Sequence, residues 1–366
     1  MRGVTAPRAV AGSLNKIASA SVQASRPGFA QATPITRSAS TVSHHGSGFG
    51  SQMLEPGVAL KGYSGREYVI ENVLQDRQDR FVYLAKADEQ KFVLKNLFEN
   101  EYNYALPLQL RYNSSPYLRA LRDTIPEQRM FVNEYLSDHL LNFAFKDISA
   151  NTQKRIMRDA LRGLATLHDH NIVHLDVKAN NIMVDYSETA EGVKVSRVQL
   201  SDLEDATYIP VGQALRGVAC GNQLWRSPEA HAEGFVGKPS DVFSMALVFI
   251  FLRLKRVIFY NENDSQNLDP MGEILARQIS TFAEWKDFEA FLAYLGHRHP
   301  QIGRFRRIAE TFTEANPRQP FGLWQSDALD THFKDLIRKM TCFDPRKRVT
   351  AQQALRHAYF KDIVEE

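Results

Sequence analysis

Asp176, Lys178 and Asn181 stand at offsets of two and three within VHLDVKANNIMVDY (173–186), between a helix-patterned stretch and the β-like run IMVDY. A carboxylate can orient a hydroxyl and accept its proton, an ammonium can neutralise a phosphate, and an amide oxygen is a hard ligand for a divalent cation. Three such groups so close together could position a hydroxyl, a phosphate and a metal ion at once. The plainer alternative is a polar turn leading into a buried strand. Two more charged residues sit where strand patterns end: Lys95 closing FVLK and Asp202 opening DLED.

Holding these groups requires particular elements. From Tyr63 onward, EYVIENVL, RFVYLAKA and KFVLKNL are short β-prone runs separated by polar turns, which predicts an antiparallel meander. EYNYALPLQLRYNSSPYLRALRD has helical spacing interrupted at Pro107 and Pro116, and MFVNEYL (130–136) reads as a buried strand. In QKRIMRDALRGLATLHDH, Ile156, Ala160, Leu164 and Leu167 share one helical face. GVKVSRVQLSDLED returns to strand, and helical patterns run from about Lys238 to the end. The expected architecture is α+β: a small β-rich lobe over about 63–136, then a larger α-helical lobe over about 137–363.

Composition bounds the rest. With 366 residues, 43% hydrophobic and 24% charged, the chain has the make-up of an ordinary globular protein. Its longest apolar run, MALVFIFLRL (245–254), is too short to span a bilayer, so no stable membrane insertion is expected. Cys220 and Cys342 make neither a disulfide framework nor a zinc site and are expected to be buried, reduced thiols. The net charge of +3 belongs to the first 54 residues, which hold Arg2, Arg8, Lys16, Arg26 and Arg37 and no acid. The remainder lacks the basic excess that a nucleic-acid-binding body needs. The leader is Ala-, Ser- and Arg-rich, with Val10, Leu14, Ile17 and Ala18 on one helical face. That is the composition of a mitochondrial transit peptide; the alternative is a disordered tail on a cytoplasmic protein.

HLDVKANNIMV resembles the catalytic loop of protein kinases, usually H-R-D-L-K-x-x-N before a short strand, and other landmarks of that family follow in order. Lys95 takes the place of the lysine in V-A-I-K and Asp202 that of the D-F-G aspartate. Ser227, Pro228 and Glu229 take the place of A-P-E. Asp241 opens the central helix, and Arg348 stands where the partner of the A-P-E glutamate belongs. The resemblance spans residues about 65 to 362 and implies a bilobal protein-kinase-like fold using ATP and Mg2+ on a protein substrate. It implies that Asp176 orients the hydroxyl and takes its proton, and that Lys178 neutralises the transferring phosphate. Asn181 and Asp202 would hold magnesium, Lys95 the α- and β-phosphates, and Glu134 and Leu136 the nucleotide beside Asn133. Lys178 further implies a serine/threonine rather than a tyrosine kinase. His174, Asp241, Glu229 and Arg348 are expected to serve packing and loop anchoring.

Departures from the family pattern keep a second reading open. Gln75, Arg77 and Arg80 stand where the three glycines of the phosphate-covering loop belong, and glycine is what lets a backbone approach phosphates closely. No glutamate sits clearly at the place that pairs with Lys95: Leu106 falls there, with Glu101 and Gln109 as substitutes. Leu175 replaces the H-R-D arginine, and between Asp202 and Glu229 the only hydroxyls of serine or threonine are Thr207 and Ser227. These changes predict an atypical serine/threonine kinase that is not switched by activation-segment phosphorylation. The alternative is a pseudokinase that acts as a scaffold for a partner protein.

Overall fold

The computed structural model describes residues 53–77, 80–112, 115–190 and 192–365. The expected transit peptide lies outside these, apart from its last two residues. The described chain divides into a smaller unit, 53–110 with 121–135, and a larger one, 111–120 with 136–365.

The smaller unit is an antiparallel sheet of β1 (Ala59–Lys61), β2 (Glu67–Arg77), β3 (Arg80–Ala87), β4 (Gln90–Asn96), β5 (Leu121–Ile125) and β6 (Met130–Glu134), in the order β1-β2-β3-β4-β6-β5. Alternation along the strands builds two apolar faces. Phe81, Tyr83, Ala85 and Ala87 of β3 join Phe92 and Leu94 of β4 and Met130 and Val132 of β6 in one core. On the other face Phe131 and Leu121 pack with Tyr102 and Ala105 of helix α1 (Glu99–Arg111). That helix runs straight through Pro107, where the spacing suggested a break. Proline removes one intrahelical hydrogen bond, and tertiary packing of α1 on the sheet outweighs the loss. Pro116 does lie beyond the helix.

Strand β1 precedes Tyr63, where the β pattern becomes visible, because three residues are too few to display a period. It is secured by a clasp. Asp123 on β5 accepts hydrogen bonds from the Ser64 hydroxyl and amide, the Tyr68 hydroxyl and the Thr124 amide. The Tyr63 amide adds a 2.8 Å bond to the Thr124 carbonyl. Gly62 is required here, since any Cβ would collide with the Asp123 carboxylate.

In the larger unit, α3 (Ala150–Asp169) starts on a Ser149 cap and buries Ile156, Ala160, Leu164 and Leu167, the face expected from their spacing; the short helix α2 (Leu140–Phe143) precedes it. Helix α5 (Lys238–Leu254) is buried on every side from Val242 to Leu252, which explains the apolar run as a core helix. The four-residue helix α4 (Pro228–His231) lies before it. Among the described residues no helix is long and apolar enough to cross a membrane. The segment 111–120, inside the range read as the small lobe, packs in the larger unit. Leu118 bridges to Leu200, the Tyr117 hydroxyl accepts from Arg162, and the Tyr112 ring meets His170 edge-on. Both cysteines are free thiols but half-buried rather than buried; burial pushes Cys220 up to about 12 and Cys342 up to about 11.

Burial pushes the Asp123 carboxyl up, but the bonds from Ser64, Thr124 and Tyr68 outweigh it and leave the group below its ordinary value. A depressed carboxyl contributes stability that is present above its unfolded pKa of about 4 and is lost as pH falls through the folded value. Asp123→Ala is therefore expected to lower stability at pH 7 by about 2–3 kcal/mol, since several buried donors lose a charged acceptor. The gap between parent and variant should narrow below about pH 4. Urea unfolding of both proteins across pH 3–7 measures it.

Candidate active site

The candidate residues of the larger unit are placed by one carboxylate. Asp241, in the first turn of α5, is almost wholly buried. Its Oδ2 accepts the His174 amide at 2.7 Å and His168 Nε2 at 2.9 Å, and its Oδ1 accepts the Leu175 amide at 3.0 Å. The chain thereby turns through Leu175 with φ +68°, a left-handed conformation that costs a leucine about 1 kcal/mol or more. His174 is fully buried. Its Nδ1 accepts the Asp176 amide at 3.3 Å, so Nε2 carries the proton it donates to the Ser201 carbonyl at 2.9 Å. The imidazole thus works as a brace between the Asp176 loop and the residue before Asp202.

Within that frame Asp176, Lys178 and Asn181 do meet. Asp176 Oδ2 accepts Lys178 Nζ at 2.5 Å and Asn181 Nδ2 at 3.2 Å; its Oδ1 accepts the Asn222 amide at 3.1 Å. Asn181 Nδ2 also donates to the Asp176 carbonyl at 2.8 Å. With its nitrogen spent on Asp176, Asn181 has its oxygen left to offer a cation. The hairpin of β9 (Ile182–Thr189) and β10 (Gly192–Leu200), edged by β7 (Asp138–His139), brings Asp202 to the same place. Ile182 pairs with Leu200, and the Ser201 amide donates to the Asn181 carbonyl at 2.8 Å. Asp202 itself is left-handed, φ +65°, before a tight turn that buries Leu203. An amide oxygen and one carboxylate suit magnesium, which keeps waters and substrate oxygens as its remaining ligands. Among the described residues no cluster of three or more His, Cys, Asp or Glu side chains forms a richer metal site.

The segment after Asp202 is held by main chain. β11 (Thr207–Tyr208) pairs with β8 (Ile172–Val173), just before the Asp176 loop. Leu215 and Val236 exchange both amide–carbonyl bonds, and the Gly217 amide reaches the Glu233 carbonyl. Thr207 is buried in β11, so the hydroxyl noted in the sequence is not presented for modification. Gly221 has φ +76°, and a Cβ there would meet the Leu175 carbonyl at 2.7 Å. That close approach is what delivers the Asn222 amide to Asp176. Asn222 was not legible as a site residue because its main chain, not its side chain, makes the contact; the adjacent glycine was the available signal. Behind it Glu229 and Arg348 form a bidentate pair at 2.6 and 3.2 Å with neither side chain exposed, and Ser240 donates to the same carboxylate.

Lys95, in the smaller unit, is on β4 between β3 and β6, so it is no edge-strand surface lysine. It lies opposite Val82 and Phe131 and on the face that carries the Leu84–Val93 pair. Asn133 pairs with Val93 on the same face, while Glu134 ends β6 and gives its carboxylate to Arg122 at 2.9 Å. What Glu134 could offer a nucleotide is main chain. Leu136 falls in the larger unit and is buried. At the glycine-loop position β2 and β3 are paired strands, with Gln75 opposite Val82 and Arg77 opposite Arg80 after a register shift between Val73 and Gln75. The Arg80 side chain is only partly exposed. It bonds Glu101 on α1 at 2.5 Å and lies over the Phe98 ring. Of the substitutes for the lysine's partner, Glu101 is thus engaged by Arg80 and Gln109 is buried; Leu106, which stands at the partner's own place, packs on the core beneath α1.

Residues 82–360 match the family model of the protein kinase domain, and the chain belongs to that family. It is 29% identical over 266 residues to a cell division control protein 2 homolog of Trypanosoma brucei brucei, covering 70% of this chain and 69% of that protein. It is 26% identical to cyclin-dependent kinase B2-1 of Arabidopsis thaliana, over 60% of this chain and 62% of the relative. With extracellular signal-regulated kinase 1 of Dictyostelium discoideum the identity is 24%, over 69% and 46%. The chain thus spans less than two thirds of the latter two. A solved structure from the yeast RNA polymerase II CTD kinase CTDK-1 complex shares the fold with TM-score 0.65 and 19% identity, covering 89% of this chain and 97% of that one.

Asp241→Asn is expected to cost about 2–4 kcal/mol, because an amide cannot accept all three donors and offers no charge to them. Amide exchange at His174 and Leu175 should accelerate selectively, measured by mass spectrometry after deuterium labelling.

Proposed function

We propose that this protein kinase is a serine/threonine kinase that transfers the ATP γ-phosphoryl to a protein hydroxyl and needs no activation-segment phosphorylation. The observation that carries the reading is the Asp176 carboxylate, held at once by Lys178, Asn181 and the Asn222 amide. Such fixing is what a group must have if it is to receive a hydroxyl in line with a phosphoryl. Asp176 orients the hydroxyl and takes its proton, and Lys178, bonded to it, presents positive charge where the phosphoryl crosses. Magnesium, when bound by Asn181 Oδ1 and Asp202, supplies charge neutralisation to the phosphate oxygens. Lys95 is the group of the smaller unit that would hold the remaining phosphates. The main-chain ties of the segment after Asp202 favour an enzyme assembled without a phosphate switch.

A second reading, a kinase-shaped scaffold without turnover, is favoured by one feature: the paired strands β2 and β3, with Arg80 bonded to Glu101, in place of a glycine loop. Thermal unfolding of the full chain with and without Mg–ATP separates the two. Ligand at about 100 times its dissociation constant adds roughly 2.7 kcal/mol. The expected result is a magnesium-dependent shift that is lost in Asp202→Asn. Asp176→Asn should keep the shift while phosphotransfer falls by about 10²-fold or more. No shift at millimolar ATP would leave the scaffold reading standing.

A further inference from the structure

Remote from the Asp176 cluster in sequence, α6 (Thr331–Met340) and α7 (Ala351–Leu355) line an open cavity of about 550 Å³. This lies within the usual range for ligand sites. His332, Asp335, Leu336 and Lys339 recur at offsets of three, four and seven, so one face of α6 forms one wall. Gln353, Arg356 and His357 form the opposite wall, and Leu336, Val349, Ala354 and Ala358 contribute apolar surface. The cavity therefore combines apolar lining with two histidines, a lysine and an arginine.

Its single acid is already neutralised. Asp335 Oδ2 accepts Lys339 Nζ at 2.6 Å and His357 Nε2 at 2.9 Å, while Oδ1 accepts Arg338 at 2.8 Å. His357 Nδ1 accepts the Tyr359 amide, so Nε2 is the donor toward Asp335. The Lys339 bond first, and then Arg338 and His357, hold the Asp335 carboxyl far below the ordinary range against the push of burial. Two cationic side chains, Arg338 and Lys339, thus bind the one carboxylate, and Arg356 adds a further positive charge to the lining. Among the described residues neither the Arg356 guanidinium nor the His332 imidazole makes a hydrogen bond or ion pair.

We propose that this cavity binds a phosphorylated serine or threonine side chain of a partner protein, with the phosphate on Arg356, His332 and Lys339 and the alkyl stem on the apolar lining. A phosphate monoester presents several acceptors and close to two charges, which a guanidinium fork and neighbouring cations match. A free phosphate would leave the apolar surface unused, and an unphosphorylated chain would leave the excess positive charge unanswered. The site is independent of the catalytic reading, because none of its residues touches Asp176, Lys178, Asn181 or Asp202.

Fluorescence anisotropy of the full chain with a labelled alanine-rich peptide carrying one phosphothreonine tests it. Its unphosphorylated twin serves as control and inorganic phosphate as competitor. The phosphopeptide should bind and the twin should not. Arg356→Glu, at an exposed position, should weaken binding about tenfold or more with an unchanged melting temperature. His332→Gln should weaken it less, and Asp202→Asn should bind as the parent does. Equal binding of the twin, affinity surviving Arg356→Glu, or loss in Asp202→Asn would each overturn the proposal. Displacement by inorganic phosphate at the peptide's own concentration would also overturn it, by assigning the cavity to free anions.

Discussion

A buried carboxylate is costly unless every lone pair finds a donor, and Asp241 meets that condition by gathering two consecutive amides and one imidazole. The requirement runs in both directions. The donors stabilise the charge, and the charge dictates where residues 174 and 175 must be. Satisfying it forces Leu175 into left-handed backbone, which aims Asp176 back toward Asn222 and Asn181. The His174 ring then relays the same anchor to Ser201, and so to Asp202. Two acids 26 residues apart in sequence are thereby referred to one fixed point on the core helix α5.

The replacement of arginine by leucine at 175 fits this economy of main-chain contacts. No charged side chain at that position reaches out for a phosphate. The following segment is instead held by the β8–β11 ladder, by the Leu215–Val236 exchange and by the glycine at 221. The Glu229–Arg348 pair closes the far end. Arg348 also donates to the Pro239 and Cys342 carbonyls and lies over Phe243, so the pair is saturated as well as buried. Such a pair contributes register more than net stability.

What the sequence disclosed, and what it concealed, follows from which interactions are periodic. The face of α3 at Ile156, Ala160, Leu164 and Leu167 was legible because burial repeats with the helix, and the strand meander because alternation repeats with the sheet. Asp176, Lys178 and Asn181 were legible as a trio because they are local. Non-local contacts were not. The passage of α1 through Pro107 depends on packing that no local propensity encodes. The role of Asn222 is played by a main-chain amide that any residue carries. Arg80 pairs with Glu101 across 21 positions, and a hairpin arginine bears no mark of whether its partner is water or a helix. Leu136, placed from sequence at the end of the small lobe, falls on the far side of the division between the units because continuity along the chain is not continuity of packing.

The clasp at Asp123 has a bearing on how this protein behaves among other proteins. The outer strands of a sheet ordinarily carry exposed amides and carbonyls that invite another strand, whether from a ligand peptide or from a misfolded neighbour. Here β1 is only three residues long, and the turn that follows it spends the Tyr63 and Ser64 amides on the opposite outer strand. The two margins of the sheet cap one another. Edge-to-edge self-association is discouraged by geometry rather than by surface charge. A partner that engages this unit must read side chains, above all those of α1 and the β2–β3 hairpin, instead of extending the sheet.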